Sequence, residues 1–352
     1  MTDTCQHRRP HATPELFGCR VKGVCTLTDC LYCESHTERS HSTGIVKLMR
    51  KPQIIGDGYH RSGWPFAMDA LAPLHSSRAE LLFDDFVEQT WVYSRRTEPI
   101  TQPWVGIFHH PPHPPDWTRQ EDRIDRLHLN SGFRASMSHL RLAICLSDYL
   151  AEWIAEHWSV PTAVVKHPTE IPAMQWSPDE WIELPRLLQV GWYLRNVRLI
   201  HQVETTIHRT RLMPRQTHHL QHEQLCIEAF SDRREFAADR ILDVNFIEPS
   251  GYDFLLSRSV VCMEVLDAAA NNVTIECLAR NTPLIVNRHP AVVEYLGADY
   301  PLYYDDHRQI ADMLADESLI LSAHQYLRAA DKSFLSQSSF RRGIVTALES
   351  LQ

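Results

Sequence analysis

The chain has 352 residues, 43% of them hydrophobic, and a formal net charge of −9. That length and apolar content can supply two ordinary domains with a core each, while the acidity excludes broad non-specific attraction to nucleic acid or anionic lipid. No run of about 18 apolar residues is available to span a membrane, and the opening MTDTCQHRRPHATPE lacks the apolar centre of a secretory leader, so the expectation is a cytoplasmic two-domain protein.

Residues 1–42 form a Cys-rich lead. Five of the nine cysteines fall here, and Cys19, Cys25, Cys30 and Cys33 have the spacing C-x(5)-C-x(4)-C-x(2)-C with several histidines nearby. In a reducing compartment such clustering favours a metal over disulfides, and a segment this short needs a metal to stabilise it. The candidates are a structural zinc held by these four thiolates, an iron-sulfur cluster, or a loosely ordered lead without metal.

A β/α alternation follows in residues 43–180. A short strand is predicted at Gln53 to Gly56, then a glycine-bearing loop opening a helix near Pro65, where the missing proline N–H costs nothing. Strands are expected at Leu81–Phe83, Trp104–Phe108, Leu142–Leu146 and Thr162–Val165, with helices near 85–93, 131–139 and 149–157 between them. The strands are too apolar to face water on either side, as in a parallel sheet covered by helices. Gly63 stands in the first loop, where a glycine lets backbone amides approach a ligand. The strand ending in His109 and His110 runs straight into prolines, so it presents imidazoles from a rigid edge suited to a base or hydrogen-bond donor. Asp85 follows the second apolar strand and is a candidate base, or equally a helix cap.

A Pro- and Trp-containing linker leads to residues 181–335. Strands are expected at Leu187–Trp192, Ile241–Ile247, Val260–Leu266, Leu284–Val286 and Leu302–Tyr304. Gly191 ends the first of them, and Arg195 follows as a planar cation suited to a diphosphate. The stretch Val260 to Tyr304 carries the strongest signal. A buried strand and turn lead into a helix whose first amides, at Asn271, Asn272, Val273 and Thr274, suit a phosphate, and Glu276 lies one turn along, where a carboxylate can accept hydrogen bonds from a ribose. A last helix, in residues 336–352, closes the chain.

Glu276, Asn281-Thr282-Pro283, the strand Leu284-Ile285-Val286 and the His289-Pro290-Ala291 turn before Glu294 together resemble the donor-binding half of GT-B glycosyltransferases of the group 1, family 4-like type. The resemblance implies two Rossmann-like domains facing across a cleft, with the final helix packing back on the first domain. It implies a nucleotide diphosphate sugar as donor substrate and transfer without a catalytic metal. By the same resemblance Gly63 and His109 or His110 face the cleft, Gly191 and Arg195 meet the diphosphate, and His289 and Glu294 sit near the sugar. Many retaining members carry a second Glu eight residues before the first; here Ala268 occupies that position beside Asp267, which leaves the stereochemical outcome open. The acceptor is a glycan, a small molecule or a modified nucleic acid, and a non-catalytic, metal-bearing interaction protein on the same scaffold is the remaining alternative.

Overall fold

The structure is a computed structural model that describes residues 44–50, 63–236 and 241–351, together with the backbone of residues 9–10, 16–19 and 23–26. The chain divides into two compact units, Met1–Ile45 and Val46–Gln352. In the first, β1 (Arg9–Pro10), β2 (Leu16–Cys19) and β3 (Gly23–Thr26) make an antiparallel meander in which Phe17 stands opposite Cys25. Cys30, Cys33 and the expected strand at Gln53 to Gly56 lie outside the described residues, as do the side chains of Cys19 and Cys25.

The second unit contains two parallel sheets. The first runs in the order β4 (Lys47–Leu48), β5 (Leu82–Asp84), β6 (Trp104–Phe108), β7 (Leu140–Cys145) and β8 (Thr162–Val164). Its strands alternate between two cores. Val105 and Ile107 of β6 face one, while Trp104 and Phe108 face the other with Trp91, Phe133 and Ile154. The first of these cores is closed by the helix Trp64–Leu71, which begins with Pro65 in its first turn, and by the C-terminal helix Gln337–Glu349, whose Phe340, Ile344 and Leu348 join Ala67, Met68 and Leu71. A chain end more than 150 residues from this sheet is therefore part of its core.

The second sheet has the order β11 (Ile241–Val244), β10 (His208–Leu212), β9 (Arg186–Val190), β12 (Val260–Met263), β13 (Leu284–Asn287) and β14 (Tyr303–Tyr304), all parallel. The strand sequence reverses direction between β9 and β12. Ligands in such sheets bind beyond the strand ends at that reversal, because the loops leaving the two strands diverge there and open a crevice. Those loops are Gly191–Arg195 and Asp267–Asn271.

Sequence periodicity does not reveal β10 or the helix Thr217–Ala229 that follows it. The strand reads His-Arg-Thr-Arg-Leu, and its arginines are buried but bonded: Arg211 reaches Asp243 at 2.7 Å and Glu223 at 2.5 Å, and Arg209 donates to the Ile200 carbonyl. Paired charges take the place of the apolar run that parallel strands usually show.

Candidate functional site

Two adjoining pockets open at the strand-order reversal. The first, of about 290 Å³, belongs wholly to the second half and is lined by Gly191, Arg195, Phe246, Tyr252, Asn272 and Glu276, among others. Its shape begins with Gly191, whose φ of +76° is a conformation that L side chains rarely adopt. A Cβ at that position would also collide with the Arg195 guanidinium. The turn brings Arg195 back beneath β9, where Nη1 donates to the Val190 carbonyl at 2.6 Å and Nη2 to Asn271 Oδ1 at 3.3 Å. Burial pushes the Arg195 pKa down from its ordinary value, but a guanidinium remains charged in any protein setting. Arg195 is thus a fixed positive charge, 8% exposed, shared by both pockets. Arg198 instead pairs with Glu223 and Glu235, away from either pocket.

The helix Asn272–Arg280 points its N-terminus at the same place. Asn271 caps it, with Oδ1 accepting from the Thr274 amide at 3.1 Å. That corrects the expectation of four available amides: Thr274 is occupied by the cap, while Asn272 and Val273 line the pocket. Glu276 is buried one turn further on and lines the same pocket, and the Tyr252 hydroxyl donates to its Oε2, turning the carboxylate against the pocket wall.

The second pocket, of about 360 Å³, lies between the two halves. Trp64, Tyr93, His109 and His110 come from the first half; Tyr193, Arg195 and the run Asp267–Asn272 come from the second. Glu88 sets the two histidines. Completely buried, it accepts the backbone N–H of both His109 and His110 on Oε1 at 2.8 Å, and burial pushes its carboxyl up to about 7. His109 Nε2 donates to the Asp85 carbonyl at 3.2 Å, and its ring packs against Phe86 and meets Trp64 edge-on, so burial drives its pKa well below the ordinary histidine value. The Asp85 carboxylate is taken by Arg50 at 3.0 Å and Trp64 Nε1 at 2.8 Å and does not line the pocket. Gly63 caps the helix Trp64–Leu71 without a side-chain bond and does not line it either.

Asp267, His289 and Glu294 join the halves. The Asp267 carboxylate accepts from the His113 amide at 2.5 Å, the Tyr149 hydroxyl at 3.0 Å, its neighbour's amide at Ala268 and His289 Nε2 at 2.9 Å. His289 Nδ1 accepts from the Ala291 amide, so its proton sits on Nε2 and points at Asp267. Glu294 has its two oxygens on the backbone N–H groups of Asp148 and Tyr149, capping the helix Asp148–His157 of the opposite half at 2.7 and 2.8 Å, and its carbonyl receives Lys166 Nζ. Neither His289 nor Glu294 lines either pocket; both serve the junction. Ala268, where a second Glu is common in the resembled family, does line the cleft, and Asp267 beside it is saturated.

Tyr93, Tyr193 and Tyr252 have no sequence signature as site residues, since aromatic residues after a strand are usually core. Among the described residues there is no cluster of three or more metal-ligating side chains, and no helix is long and apolar enough to cross a membrane.

No protein-family model matches the chain, and no curated protein matches it in sequence. Solved structures do match in three dimensions. A sucrose-phosphate synthase from Thermosynechococcus elongatus aligns with 92% of this chain and 93% of its own, at a TM-score of 0.58 and 13% identity. HepE from Anabaena, in complex with UDP-glucose, covers 77% of this chain and 79% of its own at a TM-score of 0.55 and 10% identity. A UDP-forming α,α-trehalose-phosphate synthase from Burkholderia vietnamiensis gives 81%, 76%, 0.51 and 16% in the same order. The chain therefore has the GT-B fold.

Proposed function

We propose that this chain is a glycosyltransferase that takes a sugar from a nucleotide diphosphate, with UDP-glucose as the first donor to try. The observation that carries this reading is the position of Arg195. It is a buried, fixed guanidinium at the meeting point of two pockets, hydrogen-bonded to the residue that caps the helix carrying Glu276. In the reading, the first pocket takes the nucleoside, with Glu276 on the ribose. Arg195 and the helix N-terminus meet the diphosphate and offset the negative charge that grows on it as the glycosidic bond breaks. The sugar then lies in the cleft against His109 and His110. That UDP-glucose binds the similarly folded HepE supports the choice of donor.

Because a ligand bound only by the folded state raises the melting point, a thermal-shift screen of the full chain against UDP, GDP, ADP, CMP and the corresponding sugar nucleotides tests the proposal. A dose-dependent shift with one base, lost in Arg195→Ala, is expected. Absence of any shift at millimolar ligand would overturn it.

A further inference from the structure

The turn that carries Arg195 is held more firmly than a connection between strand and helix requires. Two of its residues are left-handed, Gly191 and, at a φ of +48°, Leu194. A glycine adopts that conformation at little cost, whereas a leucine rarely does, and Leu194 is buried. A strained backbone of this kind persists only where its surroundings over-determine it, and such places cluster at functional sites. Here the surroundings are the end of β12. The Leu266 amide donates to the Leu194 carbonyl at 2.9 Å and the Asn196 amide to the Glu264 carbonyl at 3.0 Å, so residues 194–196 lie antiparallel beside 264–266.

Side chains repeat the link. Asn196 is completely buried: its Nδ2 donates to Glu264 Oε2 at 2.7 Å and to Gln202 Oε1 at 3.1 Å, while its carbonyl accepts from Gln189 Nε2 at 2.6 Å. Asn196 Oδ1 accepts the Arg198 amide at 2.9 Å, so every polar atom of this residue is engaged. Glu264 takes Arg233 on both of its oxygens, at 2.7 and 2.9 Å. From the other side His222 Nε2 donates to the Arg195 carbonyl at 2.8 Å. Neither Asn196, Glu264, Gln202 nor Arg233 lines either pocket, yet together they fix the turn that carries the guanidinium shared by both.

We propose that Asn196 and Glu264 are positioning residues, which through the left-handed turn at Leu194 hold the Arg195 guanidinium in its binding position before a ligand arrives. The ligand as a diphosphate rests on the glycosyltransferase reading; the bracing of Arg195 does not. An arginine ordered in advance has little rotamer freedom left to lose when an anion binds, and its charge needs no reorganisation as negative charge grows on a leaving group. A brace that served the fold alone would support stability only. Its loss would leave the affinity of the folded protein unchanged, whatever stood at position 195.

A double-mutant cycle on the full chain separates the two, with UDP affinity read by calorimetry and stability by denaturant melts. Asn196→Ala should weaken UDP about fivefold in the wild-type background and by less than about twofold once Arg195→Ala is present, because nothing is then left to position. Equal losses in both backgrounds, or a lower stability with unchanged affinity, would overturn the proposal. If Asn196→Ala does not fold, Glu264→Ala, at a less deeply buried position, serves with the same expectation. Should the wild type not bind UDP, the diphosphate assignment falls with the proposed donor, and the brace is read without ligand. Nitrogen NMR of arginine-labelled protein, with the Arg195 Nε–H signal identified by its loss in Arg195→Lys, should show hydrogen exchange about tenfold faster in either network variant. An unchanged exchange rate would remove the brace.

Discussion

The two pockets are built on different principles. The first is complete within one Rossmann-like half: Gly191, Arg195, Tyr252 and Glu276 are placed by strand ends and a capped helix that are neighbours in one sheet. The second exists only because two halves meet. Its walls are held at their spacing by Asp267 and Glu294, whose carboxylates reach amides and hydroxyls more than 100 residues away. Disturbing the first pocket should therefore alter nucleotide affinity while leaving the junction intact. Disturbing the junction should alter turnover while leaving nucleotide affinity alone.

Arg195→Ala gives the largest expected effect because Arg195 serves both pockets. Turnover of the sugar nucleotide should fall by about 10²–10³-fold, with weaker UDP binding by calorimetry; an effect on only one of the two would show that the pockets do not share a diphosphate. Asp267→Asn separates them. It places an amide N–H against donors that now converge on a carboxylate, and should reduce turnover by roughly tenfold or more and unfolding stability by about 1–3 kcal/mol, with the UDP Kd within about twofold of wild type. Equal losses in Kd and turnover would break the distinction between the pockets.

Glu276→Ala is the converse. UDP should bind about tenfold more weakly, about 1.4 kcal/mol, and because the change removes the acceptor of the buried Tyr252 hydroxyl, unfolding stability should fall by about 1–3 kcal/mol as well. Unchanged affinity would show that the ribose assignment is misplaced.

The smallest effect on turnover is expected from Glu88→Gln, whose signature is instead in stability against pH. Burial raises the folded-state pKa of Glu88 from 4.5 to about 7, so the folded protein holds this proton more tightly than the unfolded chain does. The resulting contribution is fully present below about pH 4.5 and is lost as pH rises through about 7, up to about 3 kcal/mol in all. Denaturant melts of wild type and variant from pH 4 to 8 should converge or cross as pH rises, with the wild type losing more. Parallel curves would show that Glu88 is not protonated in the fold.

Much of the first pocket was legible in the sequence. The helix start near Asn271, the period of the helix carrying Glu276, and a glycine ending an apolar strand before Arg195 are local signals, each written within a few residues, whereas the capping role of the Asn271 side chain is seen only in the structure. The cleft was less legible. His109 and His110 stand out because a strand running into prolines is unusual, and the sequence puts His109 ahead of His110 as the reacting group. The tertiary structure distinguishes them: His109 packs against Phe86 and the edge-on Trp64 ring, and His110 keeps a nitrogen unmatched among the described residues. Glu294 and His289 show the limit most clearly. A family resemblance directs them to the sugar, whereas their hydrogen bonds are made to the opposite half and to Asp267.

By itself the sequence determined the α/β class, most of the parallel strands, and a helix N-terminus with an acid one turn along, because apolar periodicity, capping and turn chemistry act over a few residues. Which side chains converge across the cleft, and which carboxylates are consumed in joining the halves, were decided only by the tertiary structure. These depend on contacts between residues far apart in the chain, such as Tyr149 with Asp267 and Tyr93 with Asp122. No local pattern encodes such contacts, since a buried hydrogen bond depends on the partner that the fold brings to it.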